Sequence, residues 1–341
     1  MMPDLLPIPD LRDEQVLRRI AGIRPYRLGG IRLEADEQTL HGRLLVHNYG
    51  HGGAGITMAW GCAEDAATLV RQYAMRGVEV AVLGGGVIGL TTAHELADAG
   101  YRVTVYAQAL PPNTTSNIAG ALFLPAGVDW GANAAEQDVF IGRLRRSWAR
   151  VEALIGEAPG VDLRTVYDVD ATDNHHEDRW LEIGLPTEVR RVDELPLPGA
   201  PRSGKVYRSL FLETPQYLPW LLERAIARGV RFESKVFASL EDVRTLRQTV
   251  VVNGLGFGAG PVFGDSAMQG ARGQLVLMKP QPLPYILQHG WTYMFPRRDA
   301  IILGGTFEPG VLSPLPDDVD CTRILSTHRS FFAPSLTEHH A

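Results

Sequence analysis

The stretch that decides the fold is Val78-Glu-Val-Ala-Val-Leu-Gly-Gly-Gly-Val-Ile-Gly-Leu90. A short β-branched run, residues 78–83, passes into Gly84-x-Gly86-x-x-Gly89, then into Leu90, Ala93, Leu96 and Ala97 at helical spacing. Gly100 closes that helix, and Tyr101-Arg-Val-Thr-Val-Tyr106 reads as a second strand. The whole is a strand–helix–strand unit in the context that dinucleotide binding requires. Gly84 permits the tight turn, Gly86 lets backbone approach a pyrophosphate, and Gly89 lets helix and strand pack closely. The helix start, with Val87 and Ile88, then offers its positive end to the phosphates. A tight turn without a ligand is the alternative reading. No carboxylate follows the second strand: Gln108 stands there, a weaker partner for a ribose hydroxyl.

Outward from this unit, residues 13–21 predict a short helix, Gly22 to Glu34 a loop with a short strand, and 43–48 a strand. His47-Asn-Tyr-Gly-His-Gly-Gly-Ala-Gly55 is a glycine-rich turn opening a long helix over 56–76, with Gly77 as its C′ cap. Downstream, Phe140, Leu144, Trp148, Val151 and Leu154 mark an amphipathic helix over 133–156. Residues 157–205 are polar and Pro-rich, with weak strand signals. Thr214-Pro215 is an N-cap and N1 pair for a helix in which Pro219 is irregular. Strands are expected over 230–236 and 249–253, and antiparallel ones over 273–279, 291–296 and 300–305.

With 341 residues, 45% hydrophobic and 21% charged, the chain is neither disordered nor a coiled coil. A net charge of −6 without a basic run argues against nucleic acid. No apolar run suits a bilayer and the N-terminus lacks signal-peptide character, so no membrane partner is expected. Cys62 and Cys321 cannot build a disulfide framework, which suits a reducing, cytoplasmic compartment. No metal site is expected. His47 and His51 flank glycines without a carboxylate or cysteine close by, and His175-His176 and His339-His340 read as solvated loops.

A second glycine-rich helix start matters because its amides and dipole can face the pyrimidine end of a flavin, where reduction builds negative charge. Taken alone, it is equally a plain turn. Arg24, in Arg-Pro-x-Arg, carries a planar fork suited to a carboxylate; taken alone, it is a surface arginine.

Together these segments resemble the D-amino-acid oxidase family of FAD flavoproteins, in rearranged order. In that family the fingerprint begins the chain, while Arg-Pro-x-Arg…Ile-Arg-Leu-Glu and His-Asn-Tyr-Gly-His-Gly-Gly-x-Gly…Trp-Gly-Cys-Ala come near its end. Here they precede it, at Arg24–Glu34 and His47–Ala63. Thr114-Thr-Ser-Asn-Ile-Ala-Gly-Ala-Leu, Arg272-Gly-Gln, Tyr293-x-x-Pro and Leu303-Gly-Gly match in family order. The resemblance covers nearly the whole chain as a circular permutation.

It implies a mixed α/β fold: a Rossmann-like FAD-binding domain over 40–130 and 210–265, and an antiparallel-sheet substrate domain over 12–39, 131–209 and 266–335. It implies non-covalent FAD and an oxidase that takes a D-amino acid, O2 and water to a 2-oxo acid, ammonia and hydrogen peroxide. The alternative is a biosynthetic amine- or imine-forming flavoenzyme acting on an amino-acid-like intermediate. By resemblance, Arg24 and Tyr293 hold the substrate carboxylate and the Gly53 carbonyl receives its amine. Gly52, Gly53, Gly55, Ile56 and Thr57 face the flavin pyrimidine, Thr115 and Ser116 pass the flavin, and Val236 meets the adenine half. Leu124, His289, Trp291 and Phe295 are expected in the substrate pocket, where the family's longer loop is shortened to Gly290-Trp291. A homodimer is compatible with this reading.

Overall fold

The computed structural model describes residues 5–171 and 177–333, so both His-His pairs lie outside the described residues. In chain order the N-terminal strands are β1 (Val16–Arg24), β2 (Arg32–Asp36) and β3 (Leu44–Tyr49), followed by helix α1 (Gly55–Tyr73). Strand β4 (Glu79–Leu83), α2 (Val87–Asp98) and β5 (Arg102–Ala107) form the fingerprint unit. Helix α3 (Ala134–Glu152), β6 (Val161–Val169), α4 (Glu177–Glu182), β7 (Thr187–Val192) and β8 (Gly204–Leu212) follow. Next come α5 (Thr214–Ala227), β9 (Arg231–Ser234) and β10 (Val250–Asn253). The last strands are β11 (Ala271–Met278), β12 (Ile286–His289), β13 (Thr292–Pro296), β14 (Ile301–Gly304) and β15 (Glu308–Pro309), before α6 (Asp318–Phe332).

Two sheets organise the chain. The first runs β2-β3-β10-β4-β5-β9; all its pairings are parallel except β2 on β3. Its inner strands β3, β4 and β10 are buried almost throughout because both faces are covered. Strand β10 enters between β3 and β4, and β4 lies inside the sheet with α1 and α2 packed on each other. The second sheet runs β1-β11-β14-β13-β12-β6-β8-β7, with β15 on β11, and is antiparallel except where β12 meets β6. The two sheets are the nucleotide-type and antiparallel halves that the sequence implied.

Several expectations are corrected. Residues 13–21 are a 3-10 turn followed by β1, not a helix. Val16, Leu17, Ile20 and Ala21 suit either period, and pairing along β11 decides for the strand. Arg24 therefore ends a strand. Helix α1 stops at Tyr73, and Gly77 is a separate left-handed turn (φ +82°) whose N–H donates to the Gly100 carbonyl. Glu213, not Thr214, caps α5, and the Thr214 hydroxyl donates instead to the Asn117 carbonyl. The polar, Pro-rich stretch 157–205 holds β6 and β7 and runs into β8, and β12 forms where no strand is expected. Strand β2 leaves the expected grouping of 12–39 by joining the first sheet.

The small-residue stretch of α1 has a packing cause. A Cβ on Gly61 would collide with the Arg143 carbonyl of α3, and Gly61 N–H donates to Ser147 Oγ at 2.8 Å. Asp65 on the same face pairs with Arg143 and Arg146. No described helix is long and apolar enough to cross a membrane.

Candidate active site

A cavity of about 650 Å³ is lined by residues of both sheets. At its nucleotide end the three fingerprint glycines have distinct jobs. Gly84 adopts φ +105°, and a Cβ there would strike the Gly254 carbonyl of the β10 end. A Cβ on Gly89 would strike the Gly84 carbonyl, so Gly89 seats α2 against its strand from behind and does not line the cavity. Gly86 caps α2 without a side chain, and Val87 N–H donates to Ser116 Oγ at 3.0 Å. Val87, Ile88, Gln108, Thr115, Ser116 and Val236 all border the cavity.

The second glycine turn meets the same space. Gly52 (φ +54°) leaves no room for a Cβ beside the Gly127 carbonyl, and a Cβ on Gly53 would sit 2.7 Å from the Ala126 carbonyl. Gly52, Gly53, Gly55, Ile56 and Thr57 line the cavity. The Thr57 hydroxyl is committed elsewhere: it donates to the Leu124 carbonyl and accepts from Leu124 N–H, so only its backbone is left to face a ligand. Helices α1 and α2 both begin here without a side-chain cap. Two positive helix ends at one cavity suit a cofactor negative at both its pyrophosphate and its reduced ring. Two buried polar atoms of lining residues, Asn48 Oδ1 and His51 Nε2, have no partner among the described residues. Burial pushes His51 down to about 3, so its ring is neutral. These features fit FAD. The charged groups among the described lining residues are Arg24 and Lys235; no carboxylate is among them.

The other end is built on the antiparallel sheet. Arg24 Nη1 donates to the carbonyls of Arg272 (3.3 Å) and Thr306 (3.1 Å). Its guanidinium lies over Gly273, where a Cβ would collide with it, and its Cζ is 5.7 Å from the Phe307 ring centroid. Arg24 borders the cavity, and no carboxylate is among the described lining residues to pair with it. Tyr293 lies over Gly304, and its hydroxyl is raised above its usual pKa by burial, against the pull of adjacent Arg24. A Cβ on Gly53 would sit 3.5 Å from Arg24 Cδ, so the α1 start, Arg24 and Tyr293 converge. Leu124, Trp291 and Phe295 line the cavity as expected. His289 does not: it faces away, its ring 5.3 Å from that of Phe331.

Sequence reasoning missed Phe307, which stacks on Trp291 (5.9 Å, 22°), and buried His328, which contacts the Tyr293 carbonyl from behind the sheet at 3.0 Å. No motif signalled either residue, because each is placed by strand and helix packing. Among the described residues no group of His, Cys, Asp or Glu is arranged to hold a metal ion.

Comparison with known families matches residues 79–340 to the DAO model, FAD dependent oxidoreductase. The chain belongs to this family of FAD-dependent oxidoreductases. It is 32% identical over 262 residues to a D-amino-acid oxidase of Streptomyces coelicolor, covering 71% of this chain and 74% of that protein. It is 27% identical over 261 residues to human D-aspartate oxidase, covering 74% and 75%. Among solved structures it shares its fold with a glycine oxidase from Bacillus cereus (TM-score 0.55, 19% identity, 74% of this chain and 79% of that chain). An iminodiacetate oxidase from Chelativorans sp. BNC1 is similar (TM-score 0.54, 17% identity, 74% and 78%). FAD is thus the cofactor of the family to which the chain belongs.

Proposed function

We propose that this DAO-family member oxidises a D-amino acid, or a closely related amino acid, to a 2-oxo acid with release of ammonia and hydrogen peroxide. The observation that carries this reading is Arg24. It is a cation held on two backbone carbonyls, with Tyr293 beside it and no carboxylate among the described lining residues to neutralise it. Its planar fork binds the substrate carboxylate through paired charge-assisted hydrogen bonds. Tyr293 donates to the same carboxylate, and its raised pKa keeps it a donor. The carbonyl of Gly53 accepts from the substrate amine. The amine reacts in its neutral form, because its lone pair must form the imine bond as the hydride leaves Cα. FAD, when bound, supplies the acceptor for the hydride leaving Cα. The apolar wall of Leu124 and Phe295 excludes water around that carbon.

The deciding measurement is anaerobic titration of the yellow protein with D-amino acids, followed by a peroxide assay in air. Bleaching followed by stoichiometric peroxide is expected. Bleaching without peroxide would favour a dehydrogenase instead.

We also propose that the family's segments are circularly permuted here. Supporting this, β3, α1 and β4 run consecutively into one sheet, and Arg329 of α6 donates to the Leu11 carbonyl at 2.8 and 2.7 Å. The described ends of the chain thus lie side by side. A reordered variant starting at Gly77, with a short linker joining Ala333 to Leu11, should fold and retain FAD. Failure of that variant to bind flavin would count against the permutation.

A further inference from the structure

Strand β13 presents a row of aromatic rings to the cavity at alternate positions. Trp291, on the turn just before the strand, is 45% exposed at the mouth. Tyr293 is the middle member, and Phe295, 5% exposed, is the deepest. Alternation along β13 puts Tyr293 and Phe295 on one face, and Trp291 borders the same cavity from the turn. The Tyr293 and Phe295 rings are stacked with centroids 4.3 Å apart and planes at 20°. Phe295 cannot retreat. Gly120 lies against it so closely that a Cβ would be 2.8 Å from the ring, and Phe211 packs edge-on at 6.1 Å. Its ring belongs to an apolar cluster with Leu122, Leu275 and Ile302, against which Leu124 packs from the cavity wall. Apart from Arg24, this end of the described lining carries no cation. Lys235 is at the other end: its backbone N–H donates to the Ala107 carbonyl and its ammonium to the Thr245 hydroxyl.

We infer that Phe295, pinned by Gly120 and Phe211, is the residue that restricts the substrate side chain to a small, uncharged one. The inference rests on the oxidase reading above for its substrate, but its steric basis is independent of turnover. A side chain extending past Tyr293 meets a fixed ring within a close-packed wall, which costs the substrate binding energy rather than moving the wall. A second carboxylate would be desolvated there with no further cation in the described lining to pair with.

The test compares wild type, Phe295→Ala and Phe295→Leu, each as FAD-loaded protein. Wild type should prefer D-alanine to D-phenylalanine by at least about tenfold in kcat/KM, a ratio worth about 1.4 kcal/mol. Both variants should reduce that preference, Phe295→Ala by at least about tenfold. D-aspartate should remain poor in all three. In parallel, binding of propanoate and 3-phenylpropanoate is read from perturbation of the flavin spectrum, which needs no turnover. Wild type should bind propanoate more tightly relative to 3-phenylpropanoate than Phe295→Ala does. If no D-amino acid reacts but the carboxylates still discriminate, the oxidase reading fails and the filter stands. Equal handling of both sizes by wild type, or an unchanged ratio in both variants, overturns the filter. Efficient oxidation of D-aspartate overturns its charge selectivity.

Discussion

The guanidinium of Arg24 rests directly over the Cα of Gly273, in space that any side chain at that position would claim. Strands β1 and β11 pair so that Ile23 faces Arg272 and Gly22 faces Gly273, and Arg24 folds back across the ladder. The cation is therefore positioned by a neighbouring strand's missing Cβ as well as by two carbonyls. Gly273→Ala should displace the fork without touching the cofactor end. We expect KM for the amino acid to rise at least about tenfold, or about 1.4 kcal/mol, with FAD content unchanged. Steady-state kinetics and the flavin-to-protein absorbance ratio check both halves.

Arg24 itself admits a sharper comparison. Arg24→Lys keeps the charge and loses the planar pair of donors. Each hydrogen bond to a charged group is worth roughly 1.5–3 kcal/mol, so turnover should fall by one to two orders of magnitude, and further for Arg24→Ala. The decarboxylated amine should be nearly indifferent to either change. If Arg24→Ala left kcat/KM for the amino acid within about threefold of wild type, roughly 0.7 kcal/mol, Arg24 would not be the carboxylate anchor.

FAD should be held without a covalent link. Both cysteines are buried away from the cavity lining, and burial pushes the Cys62 thiol up to about 12, leaving little thiolate to bond a flavin. Acid precipitation should release the yellow colour into the supernatant. Colour retained in the pellet would contradict this.

Acid should destabilise the protein through its buried histidines. Burial lowers His47 to about 4, His51 to about 3 and His94 to about 4. Each is neutral when folded and takes up a proton near its ordinary value of about 6.5 when unfolded. Their contribution is thus complete above that value and is lost as pH falls below it. Each proton taken up on unfolding steepens the loss by about 1.4 kcal/mol per pH unit. Tm should decline steeply between about pH 6.5 and 4.5. His94→Gln should flatten that decline; an unaltered slope would show that His94 is not among its causes.

The sequence by itself determined the nucleotide half. Gly84, Gly86 and Gly89 are legible because their spacing sets a turn, a helix start and a close helix–strand approach within one continuous strand–helix–strand unit. The strands β11, β13 and β14 are also legible, close to the expected 273–279, 291–296 and 300–305. Tertiary structure alone decided the rest. Residues 16–24 carry apolar spacing compatible with helix or strand, and only pairing with β11, some 250 residues away, selects the strand that aims Arg24. His289 lies two residues from Trp291 in sequence, yet it pairs with Thr292 across the hairpin and so takes the face opposite Tyr293, toward Phe331. Phe307, Gly273 and Gly120 carry no motif of their own. Their roles arise from surfaces brought together across the sheets, where a ring or a missing Cβ acquires meaning only from what packs against it.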